Sequence, residues 1–196
     1  LRYELAFGDP SKVVEPRLKQ RDAQPEAEAT WLNLGQTYLA AAQKAKDEKA
    51  ADDYRSKAIE TFTQAKTKFP GSPGFGLAAA NVMTEAGDTA GAQKIVDELT
   101  ADPKNAENPL YLAALSNYYI QVKNNEKALE VMQKLLDSGK AGDPNQLRSS
   151  IAQMQLEMGQ VDQALATADA LPDSQATREL KVNLLLSARR IEEANK

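Results

Sequence analysis

Apolar residues recur along this chain at spacings of three and four, the period of a helix with one buried face. One such stripe is Leu112, Leu115, Tyr118, Tyr119 and Val122. Others run Ala92, Val96 and Leu99; Ala128, Met132 and Leu135; and Ala164, Ala168 and Leu171. No stretch alternates apolar and polar residues as a half-buried strand does. Turn-forming residues separate the stripes at Gly87-Asp88, Asn124-Asn125 and Gly159-Gln160. The pattern predicts an all-α chain of short helices joined by tight turns.

The stripes repeat. Ala92, Ala128 and Ala164 lie 36 residues apart, and a further copy begins 30 residues on at Ala194. Upstream, Gly8-Asp9 followed by Val13 and running to Pro25 reads as the second helix of a truncated leading unit. The fullest unit holds Trp31-x-x-Leu34-Gly35-x-x-Tyr38, then Ala58-x-x-x-Phe62-x-x-Ala65, then Pro70. The small residues Gly35, Ala58 and Ala65 would let two antiparallel helices approach, while the large ones fill the gaps between them. This spacing resembles the tetratricopeptide repeat. Later units depart from it, because the tryptophan position becomes Gly76, Leu112 and Arg148. The period also exceeds the family's usual value of about 34.

The resemblance implies an α-solenoid of tandem antiparallel helix–turn–helix units wound into a right-handed superhelix. One solenoid would span residues 1–196. Its parts would be a partial leading unit (1–25), a unit with an extended hairpin (28–70), three further units (73–106, 109–142 and 145–172) and a partial trailing unit (173–196). Leu1 to Phe7 read as the last turns of a helix already under way, and Glu192 to Lys196 as the opening of another. We therefore expect an internal slice of a longer, bacterial-type protein. In this family the first helix of each unit lines the concave side, and such surfaces bind extended peptides or helices.

Between Tyr38 and Ala58 this chain carries about eleven residues more than the other units. The stretch Gln43 to Asp53 is rich in helix formers of mixed charge. It predicts two helices growing past the body of the array, with a turn near Asp47–Ala51. The extension is either a projecting contact arm or a solvated lengthening with no partner.

A column of side-chain amides runs through the first helices. The residue eleven before each second-helix alanine is Asn81, Asn117, Gln153 and Asn183, and the equivalent after Gly35 is Gln36. Amides are roughly one residue in eight here, so five in register exceed what composition alone predicts. An amide offers an acceptor and two donors, which suits pairing with a peptide backbone whatever its sequence. The alternative is that these amides bridge neighbouring helices or sit in water. The same face offers apolar or small residues, including Leu32, Leu39, Leu77, Ile120 and Leu156. Some tetratricopeptide domains clamp a C-terminal carboxylate with paired Lys and Asn. Here those faces carry Leu32, Leu77, Ala113, Ser149 and Glu179, so no lysine clamp is expected. Tyr111, Tyr118 and Tyr119 cluster on one helix, for interhelical packing or as a partner hot spot.

Composition narrows the chemistry. The chain has no cysteine and no histidine, so disulfides, thiolate or imidazole metal sites, Cys nucleophiles and Ser-His-Asp triads are excluded. The formal charge is -4 and the short basic runs are interleaved with acids, so no nucleic-acid footprint is expected. Paired acids such as Asp52–Asp53 lie in charged stretches without a partner base, and no phosphate-binding glycine loop occurs. No cofactor, metal or enzymatic activity is expected, nor membrane insertion by this stretch. The expected partner is another protein or peptide. The alternative is an architectural spacer, or an accessory domain of a larger envelope, secretion or polysaccharide-export protein or of an enzyme. Bacterial cytoplasm and periplasm both fit the lack of cysteine.

Overall fold

A computed structural model of the chain describes residues 9–187. A short 3-10 turn (Pro10–Val13) leads into ten α-helices: α1 (Val14–Ala23), α2 (Glu28–Gln43), α3 (Glu48–Lys68), α4 (Gly74–Glu85), α5 (Thr89–Ala101), α6 (Pro109–Gln121), α7 (Asn125–Asp137), α8 (Pro144–Glu157), α9 (Val161–Asp169) and α10 (Gln175–Ser187). Among the described residues there is no strand. No described helix is long and apolar enough to cross a membrane. Leu1 to Phe7 and Ala194, on which the terminal expectations rest, lie outside the described residues.

Local chemistry sets the helix starts. The Asp47 carboxylate accepts from the Ala50 amide, Asp88 from Gly91, Asn124 from Lys127, and Asp143 from Asn145 and Gln146. Each supplies an acceptor for a first-turn N–H that the helix itself leaves unpaired. Pro109 and Pro144 open α6 and α8, where no backbone donor is needed.

The helix ends carry the repeat at backbone level. After α4, the Gly87 amide donates to the Thr84 carbonyl and the Asp88 amide to Met83. After α6, Lys123 donates to Ile120 and Asn124 to Tyr119; after α8, Gly159 donates to Leu156 and Gln160 to Gln155. These are three Schellman ends 36 residues apart, each followed five residues on by a fully buried alanine: Ala92, Ala128 and Ala164. The motif needs positive φ, and Gly87 (86°) and Gly159 (75°) supply it freely. In the middle copy a lysine does so, at φ 58°. Lys123→Gly is therefore expected to raise stability by about 0.5–1 kcal/mol, as the relief of a left-handed side chain outweighs the added chain entropy. Urea unfolding followed by far-UV ellipticity would measure it.

The chain divides into two compact units, up to Ala106 and from Glu107 on. The division falls between α5 and α6. In unit 1, α2 packs on α3, α3 on α4, and α4 on α5, while α1 and the 3-10 turn cover α2. Leu34, Phe62, Val82 and Val96 are almost wholly enclosed, and Ala58, Ala65, Ala79, Ala80 and Ala92 are fully so. Gly35 sits where α2 meets α3, and a Cβ there would run into the Phe62 ring. Trp31 donates its indole N–H to the Pro25 carbonyl at 2.9 Å and lies beneath the Arg21 guanidinium at 4.9 Å. Phe69 bridges Trp31 and Phe75, with ring centroids 6.4 and 5.8 Å away. Burial pushes the Tyr38 phenol above its ordinary pKa. The Lys66 ammonium bonds Glu98 of α5 at 2.6 Å and holds that carboxyl below its usual value. Its contribution is therefore present above the normal carboxylate range and fades as pH falls through the lowered value. The pair is solvent-exposed and small beside the core.

The extension in unit 1 is a lengthened hairpin. Helices α2 and α3 have 16 and 21 residues, against 12 to 14 for α4 to α8. The turn falls at residues 44–47, slightly ahead of the expected place, because Asp47 caps α3. Ala41, Ala42 and Ala51 are buried, and Tyr54 meets Tyr38 at 6.3 Å. Much of the added length is thus braced against its own partner helix.

In unit 2, α6 packs on α7, α7 on α8, α8 on α9, and α9 on α10. Tyr111, Leu112, Leu115, Tyr118 and Tyr119 are all buried, which makes the tyrosine cluster core. Tyr118 and Tyr119 meet edge-on at 5.4 Å. Ala152, Ala164, Ala168 and Leu184 form a tight cluster joining α8, α9 and α10.

Candidate functional site

The amide column falls on exposed helix faces in most of its copies. Gln36 lies on α2, Asn81 on α4, Asn117 on α6, Gln153 on α8 and Asn183 on α10. Gln36, Asn117, Gln153 and Asn183 are exposed. Asn81 is half-buried, and its side-chain oxygen is enclosed without a hydrogen-bond partner. The apolar companions separate more sharply. Leu32 and Ile120 are 42% and 41% exposed, and Leu39 is half-buried. Leu77 is a core residue at 3%, and Leu156 packs against the Ala152–Ala164–Ala168–Leu184 cluster.

Unit 2 brings part of the column together. A depression of about 420 Å³ lies among α6, α7 and α8, with Asn117, Ile120, Met132, Gln146 and Ser150 in its wall. A second, of about 440 Å³, takes in Gln153, Met154 and Glu157 of α8 and Leu180 of α10. Ile120, Gln146 and Ser150 belong to both, so the two form one groove. Ile120 lines both depressions, Asn117 the first and Gln153 the second. Asn183 is not in this groove; it lies beside Arg178, Glu179 and Val182 on α10 itself.

Gln146, Ser150, Met154 and Glu157 were not picked out from the sequence. The signal was present in part, since 146, 150, 153 and 157 follow one another at three- and four-residue steps along α8, and Met154 lies four from Ser150. Leu180 had no comparable signal, because its place in the wall depends on how α10 packs. In the groove wall only Asp143 and Glu157 carry charge. Asp143 is engaged as the cap of α8, accepting from Asn145 and Gln146 at 3.0 Å.

One buried polar group outside the groove was also missed. Asn105 is 6% exposed and donates its side-chain N–H to the Leu99 carbonyl at 2.8 Å, closing the last turn of α5. Asn105→Ala is expected to destabilise unit 1 by about 1–3 kcal/mol, because it strands an enclosed carbonyl. A shift in the urea midpoint of Trp31 fluorescence would measure this, since Trp31 is the only tryptophan and lies in unit 1.

No protein-family model matches this chain, and no curated protein matches it either. The groove therefore has to be read from its own geometry.

Proposed function

We propose that the chain is a tetratricopeptide-type binding module, an α-solenoid scaffold whose unit-2 groove holds a peptide or helical segment of another protein. The observation that carries this reading is the meeting of Asn117, Ile120 and Gln153 in one groove. Two exposed amides beside a solvent-facing isoleucine offer backbone pairing and an apolar anchor together. The 36-residue recurrence of helix end and buried alanine supports a repeat architecture.

A random peptide library displayed on phage and selected on the full chain tests the reading. The selected peptides are expected to bind the Asn117→Ala/Gln153→Ala double variant about tenfold more weakly, the equivalent of one or two lost hydrogen bonds. Ile120→Asp is expected to abolish binding. If the peptides bind both variants as tightly as the parent, the groove is not the site. If no peptide is enriched, the spacer reading takes its place.

A further inference from the structure

The groove is charged in one sense only, and that names a partner chemistry. Glu157 is the last residue of α8, where the helix already presents unpaired carbonyls and a partial negative charge. A carboxylate there is locally unfavourable, and the two negative sources add. No ion pair to Glu157 occurs among the described residues. The basic side chains of unit 2 with polar partners look elsewhere: Lys140 to Glu107, Lys181 to Asp169, Arg178 to Asp173, and Arg148 to the Asn145 side chain. Beside Glu157 lie Ile120, Leu180 and the largely buried Met154.

We propose that this groove selects a peptide segment carrying an apolar side chain together with a lysine or arginine, the apolar group seated on Ile120 and Leu180 and the cation held by Glu157. This rests on the groove being the peptide site. Spacing sharpens it. Gln153 and Glu157 are one turn apart, about 6 Å along α8. Two residues of an extended peptide span about the same distance. The basic residue therefore lies two positions along from the backbone group that Gln153 holds.

The test uses the full chain and two synthetic peptide pools, followed by fluorescence anisotropy. Each pool carries an apolar residue and, at every spacing from one to four positions from it, either Lys/Arg or Asp/Glu. The basic pool is expected to bind at least about tenfold more tightly. The difference should shrink as salt is raised. Glu157→Lys should reverse the preference without lowering thermal stability, because a cation suits a helix C-terminus. Equal binding of both pools, or a basic preference that survives Glu157→Lys, overturns the charge assignment. If Asn117→Ala/Gln153→Ala then still weakens both pools, the groove reading stands without it. If neither pool binds, both readings fail. A concentration-dependent dimer abolished by Ile120→Asp would give the groove to a second copy of the chain and overturn the proposal.

Discussion

Phe62→Ala is expected to destabilise unit 1 by about 3–5 kcal/mol, the usual result of emptying a buried aromatic site. Phe62 is 1% exposed and its ring fills the space that Gly35 leaves open between α2 and α3. Fully buried Ala58 and Ala65 lie on the same helix, and they have no long side chain with which to refill the void. Trp31 fluorescence in urea would report the loss, because it follows unit 1 alone. The reciprocal substitution sharpens the argument. A glycine in a helix interior normally gains about 1 kcal/mol on becoming alanine. Gly35→Ala is instead expected to cost about 1–3 kcal/mol, because the added methyl meets a ring that cannot turn away. At Gly76 the nearest atom to such a methyl is the Cδ1 end of Leu99, at 2.8 Å, which can rotate, so Gly76→Ala is expected to be close to neutral. In the Phe62→Ala background Gly35→Ala should become neutral or stabilising. Simple additivity of the two substitutions would show that they do not share one space.

The second large effect is expected in unit 2. Leu184 is 1% exposed and packs against three alanines with no accessible surface, Ala152, Ala164 and Ala168. Leu184→Ala should cost about 2–5 kcal/mol, since its fully buried neighbours are alanines and only the partly buried leucines at the edge of the cluster could move to close the cavity. Leu186, two residues on and 49% exposed, gives the control: Leu186→Ala should fall within about 0.5 kcal/mol of the parent. Far-UV ellipticity is the readout here, because unit 2 holds no tryptophan. The same substitution tests the link from packing to site. Leu184 anchors the helix that places Leu180 in the groove wall. Loosening α10 should therefore weaken peptide binding even where the chain remains folded. A Leu184→Ala protein of parental stability would refute the cluster as the packing that holds α10.

Much of the fold was legible in the residues because helix period and turn chemistry are local. The stripes at Ala92, Ala128 and Ala164 and the turns that precede them lie where the pattern puts them. The turn of the long hairpin was read a few residues late. Gln43 to Asp53 offers helix formers throughout, and only the hydrogen bond from the Ala50 amide to Asp47 picks out the start of α3. The positive φ at Lys123 was invisible, because nothing in a lysine announces a left-handed residue.

The candidate site divides along the same line. Register alone placed Asn81, Asn117 and Gln153 at equivalent positions, since their spacing equals the period. It could not tell them apart in burial, nor separate Ile120 from Leu156, which stand 36 residues apart in equivalent places. Ile120 opens onto the groove, whereas Leu156 is half-buried against the cluster that joins α8, α9 and α10. By itself, then, the sequence determined the helices, most of their ends and the 36-residue spacing, because these depend largely on residues a few positions apart. Only the tertiary structure decided which copies of each repeated position face solvent, because that depends on which neighbouring helix covers them.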